Sequence, residues 1–197
     1  MSNNADGARL ICAAGCRPDL KDFFGFSPLE YACGKGSVAV VQELLSRTAL
    51  TTELLSRSLF LAMSDEGGTA ELAFRLLDCR ADANFQWNEP LTTLFGAYLC
   101  FKRMQHRAGR ISTATTAAVE LSGGTPLMAA VLAGQYEGAA ALLIAGARAD
   151  LQNQRSRTAE DLARDGCAPL FLMDALQGQT ADCERVIDSA LTVAVHF

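Results

Sequence analysis

Histidine is nearly missing from this sequence of 197 residues, which contains only His106 and His196. Neither histidine has a cysteine or carboxylate neighbour at the spacing typical of metal ligands. A hydrolase needs a nucleophile activated by an oriented base, and histidine is the commonest such base. The glycine-rich nucleotide loops and the Gly-x-Ser-x-Gly motif are missing as well. We therefore expect a protein that is not an enzyme and that needs no cofactor and no metal.

Positive charge is also in deficit. The chain has 17 lysines and arginines against 22 aspartates and glutamates, which gives a net charge of −5. A general nucleic-acid binder carries a basic surplus that replaces the counterions of the phosphate backbone. Nucleic acid is therefore not the expected partner.

Export signals and a disulfide framework are missing too. The N-terminus shows no charged-then-apolar signal, no Asn-x-Ser/Thr sequon occurs, and the seven cysteines are odd in number and scattered. These features predict reduced thiols and a location inside the cell, in the cytoplasm or nucleus. Cys12 and Cys16 share a helical face, but without two further ligands near them we expect no zinc site.

No uninterrupted apolar run is long enough to predict a membrane span. The most apolar stretch, residues 127–147, is broken at its centre by the polar residues 135–137, which stand between two glycines. That pattern favours two short helices joined by a turn.

This stretch belongs to a unit, residues 122–150, that the rest of the chain repeats. Thr125 and Pro126 suit the cap and first turn of a helix, whereas Gly134 and Gly146 stand where helices end. Two helices of about nine residues cannot bury their apolar faces alone. The unit therefore needs similar units beside it.

Similar units are present at a spacing of roughly 33 residues. Their openings share a small or polar cap followed by apolar residues, and they occupy residues 27–32, 58–62, 92–97, 125–130 and 158–163. Leucine pairs mark the second helix of three units, at Leu44-Leu45, Leu76-Leu77 and Leu142-Leu143.

The pattern resembles the ankyrin repeats over residues 8–177. Units 22–54 and 121–153 match well, whereas the second and third are degenerate. The histidine that this family usually has after Pro-Leu is replaced in every unit, by Glu30, Phe60, Phe95, Met128 and Asp161. The resemblance implies an all-α solenoid of four to five helix-turn-helix units with projecting finger turns. Outside the repeats we expect a flexible N-terminus, residues 1–7, and a C-terminal capping helix and tail, residues 178–197.

The third unit departs most from the pattern. Its first helix is predicted over 92–101, but Gly109 and Arg110 stand where the leucine pair belongs. Positions 103, 106, 107 and 110 share a helical face and form a basic stripe, which is either a solvated face or a docking patch for an acidic or phosphorylated peptide or RNA. The Ser/Thr run at 112–116 predicts a mobile loop or a phosphorylation target.

The resemblance places the partner contacts on the fingers. The predicted contact residues are Phe23, Phe24 and Phe26 with the nearby Lys35, then Phe85 and Trp87, and finally Arg155 and Arg157. Aromatic rings bring much apolar area at little entropic cost, and for Trp87 the alternative is a ring packed under Pro90. In this family the finger asparagine at Asn84 is also a possible hydroxylation site, the alternative being a bond to its own turn.

The sequence thus predicts a monomeric module or scaffold that binds another, unidentified protein through its fingers and concave helix face. Two alternatives stay open. One is a regulatory fragment of a larger enzyme, and the other is a reader of acidic or phosphorylated peptide or of RNA through the basic stripe.

Overall fold

Helix is the only regular secondary structure in residues 5–15, 17–47 and 50–194, the part of the chain that the computed structural model describes. This confirms the all-α prediction for those residues. The helices are α1 (Ala5–Ala13), α2 (Pro28–Gly34), α3 (Val38–Arg47), α4 (Thr52–Ser64), α5 (Ala70–Asp78), α6 (Leu94–Arg107), α7 (Thr113–Glu120), α8 (Pro126–Ala133), α9 (Tyr136–Ile144), α10 (Ala159–Asp165), α11 (Leu170–Leu176) and α12 (Ala181–Ala194).

Local sequence explains where several of these helices begin. Ser27, Thr125 and Thr158 are N-caps whose side chains each accept a hydrogen bond from the first turn. Pro28 and Pro126 follow two of them at the first helical position, where the missing N–H costs nothing. The capping signals in the sequence therefore predict the starts of α2, α8 and α10 correctly.

Eight of the helices form two layers. The inner layer places α2, α4, α8 and α10 side by side in that order, while α5, α9 and α11 pack behind them and α3 packs behind α2. Fully buried leucines fill the space between the layers, among them Leu29, Leu59, Leu72, Leu127 and Leu142. Outside the layers, α1 lies against α3, and α12 folds back over α9, α11 and α5.

The third predicted unit does not stand in this row. α4 packs directly on α8 and α5 on α9, whereas α6 and α7 pack mainly on each other. α6 continues to Arg107 instead of ending near residue 101, and the Ser/Thr run begins α7 as a regular helix capped by Ser112 instead of forming a loop. The physical reason is that α7, built of threonine and alanine, lacks the leucines that a second helix needs to join the outer layer.

One backbone hydrogen bond recurs in three turns of the chain, and the middle turn of the three encloses α6 and α7. In the first finger Asp22 N–H donates to Phe26 O (2.8 Å), and in the last finger Asn153 N–H donates to Arg157 O (3.0 Å). In the finger between them the same bond joins Trp87 N–H to Gly124 O (2.8 Å).

A second bond repeats in the same three turns. Gly25, Gly123 and Ser156 each take a positive φ and donate N–H to the carbonyl of Asp22, Trp87 and Asn153 respectively. Residues 88–122 therefore occupy the fingertip that the last finger fills with residues 154–155. We call residues 88–122 the inserted hairpin.

The second unit also differs from its prediction. α3 ends at Arg47 and α4 already begins at Thr52, so the expected opening at Ser58 lies in the middle of α4. The residues between α3 and α4 are too few for a finger like those that precede α2 and α10. Arg57, in the second turn of α4, is buried.

None of the helices in the described ranges is long and apolar enough to cross a membrane.

The packing predicts a large difference between two leucines. Leu142 is fully buried in α9, whereas Leu170 in α11 is 81% exposed. Leu142→Ala should lower the free energy of unfolding by about 2–4 kcal/mol, because it removes buried methyl groups and leaves a cavity. Leu170→Ala should cost less than about 0.5 kcal/mol. Urea denaturation of both variants measures the two values, and equal losses would contradict the layer assignment.

The fingertip position of the inserted hairpin predicts that the stack can fold without it. We expect a chain in which Gln-Arg, the tip of the last finger, replaces residues 88–122 to unfold cooperatively with a reduced melting temperature. Circular dichroism during heating measures both the helical signal and the cooperativity. A gradual, uncooperative loss of signal would mean that the hairpin is an integral part of the array.

Candidate partner-binding surfaces

A buried ionic cluster holds the first end of the inserted hairpin. Arg57 Nε donates to Glu30 Oε1 (2.8 Å) and its Nη1 donates to Glu89 Oε2 (3.1 Å), and at most 6% of any of these side chains is exposed. The guanidinium lies 4.6 Å from the ring centroid of Trp87. Because unpaired buried charges are costly, the arginine ties Glu89 and with it the start of the hairpin to α4.

Trp87 is therefore a core residue and not an exposed finger anchor. Only 3% of it is exposed, and its ring stacks on Phe60 with centroids 4.7 Å apart. The structure shows the alternative of a packed ring, with Phe60 and Arg57 as its neighbours.

A second buried carboxylate holds the other end of the hairpin. Glu120 is 3% exposed in its side chain and accepts from Arg155 Nη1 (2.7 Å) and Arg157 Nη1 (3.1 Å). Asn153 Nδ2 adds a bond to the backbone oxygen of Glu120 (2.9 Å). Arg157 also pairs with Asp165. Arg155 and Arg157, which the sequence predicts as partner contacts, therefore donate hydrogen bonds that hold the hairpin on the last finger.

The first finger is built around Asp22. Its Oδ1 accepts from the N–H groups of Phe24 and Phe26 (both 3.0 Å), and its Oδ2 accepts from the Tyr31 hydroxyl (2.8 Å). Partial desolvation would raise the pKa of Asp22, but these hydrogen bonds outweigh it and hold that pKa below its usual value. Desolvation, helped by the same bond, raises the pKa of Tyr31. The turn that presents the phenylalanines is therefore held in one shape.

The three phenylalanines of this finger have different surroundings. Phe23 is 72% and Phe24 45% exposed, and their rings lie 4.6 Å apart. Phe26 turns inward, where its ring meets those of Tyr31 at 5.6 Å and Phe95 at 4.9 Å. Phe26 thus joins the first finger to the inserted hairpin, while the other two face solvent.

The inserted hairpin carries a second set of exposed apolar side chains. Along α6, Leu94, Tyr98 and Phe101 are each about half exposed, and they follow a helical i, i+4, i+7 spacing. Phe95, on the next face, stacks with Tyr98 at 6.3 Å and links the row to Phe26. We call the exposed set the aromatic face; it consists of Phe23, Phe24, Leu94, Tyr98 and Phe101.

The other predicted contact residues are already engaged within the chain. Lys35 Nζ lies 3.0 Å from Asp65 and 3.5 Å from Glu66, and its hydrogen bond to Asp65 raises its pKa. Phe85 is half-buried against the core. Asn84 accepts a hydrogen bond from Arg148 N–H (2.8 Å), so its side chain bonds the neighbouring turn and not its own.

The basic stripe is divided between two environments. Arg103 and His106 are half-buried and line a cleft with Arg107 and Arg155, whereas Arg110 is exposed outside it. Arg103 Nη1 donates to the hydroxyl of Ser122 at the base of the hairpin. The stripe is thus only partly a solvated face.

Comparison with protein-family models and with curated proteins yields no match for this chain. Within the described residues, no three His, Cys, Asp or Glu side chains converge as metal ligands would. Cys16 lies outside those residues, so the Cys12–Cys16 pair is not described.

The buried ionic cluster predicts unequal costs for removing two arginines. Arg57→Met should destabilise the fold by about 3–5 kcal/mol, because it leaves Glu30 and Glu89 buried without a counter-charge. Arg75→Met is the matched control, since Arg75 pairs with Glu71 on the surface of α5 and should cost less than about 0.5 kcal/mol. Chemical denaturation measures both, and a small loss at Arg57 would show that the cluster does not hold the hairpin.

Proposed function

We propose that this chain is an ankyrin-type array that binds another protein through its aromatic face. The ankyrin-type assignment is supported by the paired helix layers, by the hydrogen bonds that recur in three fingers, and by the Ser/Thr-Pro starts of α2 and α8. The binding role is supported chiefly by one observation, the exposed apolar side chains of the first finger and of α6, two segments that the ring contact between Phe26 and Phe95 connects.

Such a surface is costly to leave in water. Large exposed apolar patches are uncommon on monomeric proteins and mark interaction sites. Here the rings are also held in place, because Asp22 fixes the finger and Phe26 packs against Phe95. Rigid aromatic side chains lose little entropy when a partner covers them, so they favour tight contact.

The charge around the aromatic face defines the partner further. Residues 90–119 contain no aspartate or glutamate, and α6 carries Lys102, whose ammonium lies 5.4 Å from the centroid of the Tyr98 ring. A basic, aromatic surface on an acidic protein favours a partner that presents apolar side chains bordered by carboxylates.

We also propose an intracellular location, in the cytoplasm or nucleus, and a monomeric state. Cys33 is buried, and desolvation raises the pKa of its thiol, so it behaves as a core residue and not as a reactive or bridging cysteine.

The aromatic face predicts which substitutions abolish partner binding. Phe23→Ser/Phe24→Ser and Tyr98→Ser/Phe101→Ser should each reduce capture of partner proteins from a cell lysate about tenfold or more, since each removes hot-spot rings. Phe26 is left intact because it packs inside. Quantitative mass spectrometry of the captured proteins measures the loss.

Leu132→Ser/Leu170→Ser is the matched control, because these leucines are exposed elsewhere on the surface and should leave capture unchanged. All variants should keep the helical spectrum and melting temperature of the parent. If both aromatic variants retain the partner while Arg103→Glu/Arg107→Glu loses it, binding is electrostatic and the aromatic face is not the contact.

A further inference from the structure

A basic cleft lies where the inserted hairpin meets the last finger. Its volume is about 300 Å³, and it is bounded by α6, the end of α7 and the fingertip. Arginines, a histidine and two neutral hydrogen-bonding side chains dominate its wall, which consists of Arg103, His106, Arg107, Val119, Ser122, Gln154 and Arg155. We call this the basic cleft.

Two arginines of the basic cleft have no carboxylate partner. No carboxylate lines the cleft, and within the described residues none forms an ion pair with Arg103 or Arg107. Arg155 pairs with the buried Glu120, which does not line the cleft, so the unpaired charge of the wall comes from Arg103 and Arg107. Like charges gathered in one concavity repel each other and create a positive potential, which an incoming anion relieves.

We propose that the basic cleft binds the phosphoryl group of a phosphorylated serine or threonine in a partner polypeptide. Guanidinium groups match the oxygens of a phosphate with paired N–H donors, and the group carries nearly two negative charges at neutral pH. The Ser122 hydroxyl accepts from Arg103 Nη1 and keeps its own O–H, and the Gln154 amide donates one N–H to Asn88 Oδ1 (3.0 Å) and keeps a second, so each retains one donor at the wall.

The surroundings favour a polypeptide over a nucleic acid. The chain as a whole has a net charge of −5, so it lacks the basic surplus with which general nucleic-acid binders replace the counterions of a polyanion. No phenylalanine, tyrosine or tryptophan lines the cleft, so a base finds no large ring to stack on. Arg103 and His106 are half-buried, and a phosphoryl group on a side chain can enter to reach them.

This site is separate from the aromatic face, and it rests on the proposed protein-binding role only in that a polypeptide carries the phosphate. Fluorescence anisotropy with a peptide probe measures binding at the basic cleft without depending on the lysate capture that tests the aromatic face. The probe is a labelled degenerate peptide library centred on phosphoserine and phosphothreonine, and the unphosphorylated library is its reference.

Two exposed arginines provide the decisive comparison. Arg107→Glu, within the cleft, should weaken binding of the phosphorylated library about tenfold or more, as expected for loss of a charge-assisted bond and added repulsion. Arg110→Glu makes the same charge change outside the cleft and should weaken binding less than about threefold at physiological salt. Equal losses would overturn the proposal in favour of a diffuse basic surface.

The remaining arms identify the source of the phosphoryl group. The unphosphorylated library should bind at least about tenfold more weakly than the phosphorylated one, and similar binding of both overturns the proposal. If inorganic phosphate competes as well as the phosphopeptides do, the cleft is a site for free anions. If a single-stranded oligouridine binds more tightly than the phosphorylated library, the ligand is RNA. Either result overturns the proposal. Phosphopeptide binding that survives Tyr98→Ser/Phe101→Ser supports this site even if the aromatic face fails its own test.

Discussion

The pairing of two buried glutamates with arginines determines the shape of this molecule. Glu89 and Glu120 stand near the two ends of the inserted hairpin, and each would be costly to bury without a cation. Arg57 of α4 pairs with Glu89, while Arg155 and Arg157 of the last finger pair with Glu120. Because the two anchors belong to different parts of the stack, α6 and α7 are fixed in place and not merely tethered. Both the aromatic face and the basic cleft depend on that fixed position.

Much of the fold could be predicted from local signals. The caps at Ser27, Thr125 and Thr158 and the stacking of short apolar helices follow from chemistry that acts within a few residues. The insertion could not be recognised in this way, because its length is close to that of one repeat. A search for periodicity therefore finds the next unit in register whether or not the intervening residues join the row. Only the missing leucines of α7 signalled the difference.

The surfaces were less predictable because they depend on contacts between distant residues. Trp87 is buried because Phe60 and Arg57 cover its ring, and Arg155 is engaged because Glu120 reaches it, but nothing in the neighbouring sequence indicates either contact. The sequence predicts the helix that carries Leu94, Tyr98 and Phe101 but does not identify these three residues as an exposed row. Phe95 and Leu99 form a second apolar row one face away, and the sequence alone does not show which row packs on the stack and which faces solvent.

The position of the inserted hairpin also has a consequence for the kinetics of folding. In a simple repeat array each unit pairs with the next along the chain, so folding spreads through local contacts. Here α4 packs on α8 although residues 88–122 lie between them in the chain. Bringing the ends of so long a segment together costs chain entropy before any contact forms. The α4–α8 junction should therefore form late, after the units on either side. We therefore expect the helices before and after the inserted hairpin to fold as two separate groups, although the native layers run through both.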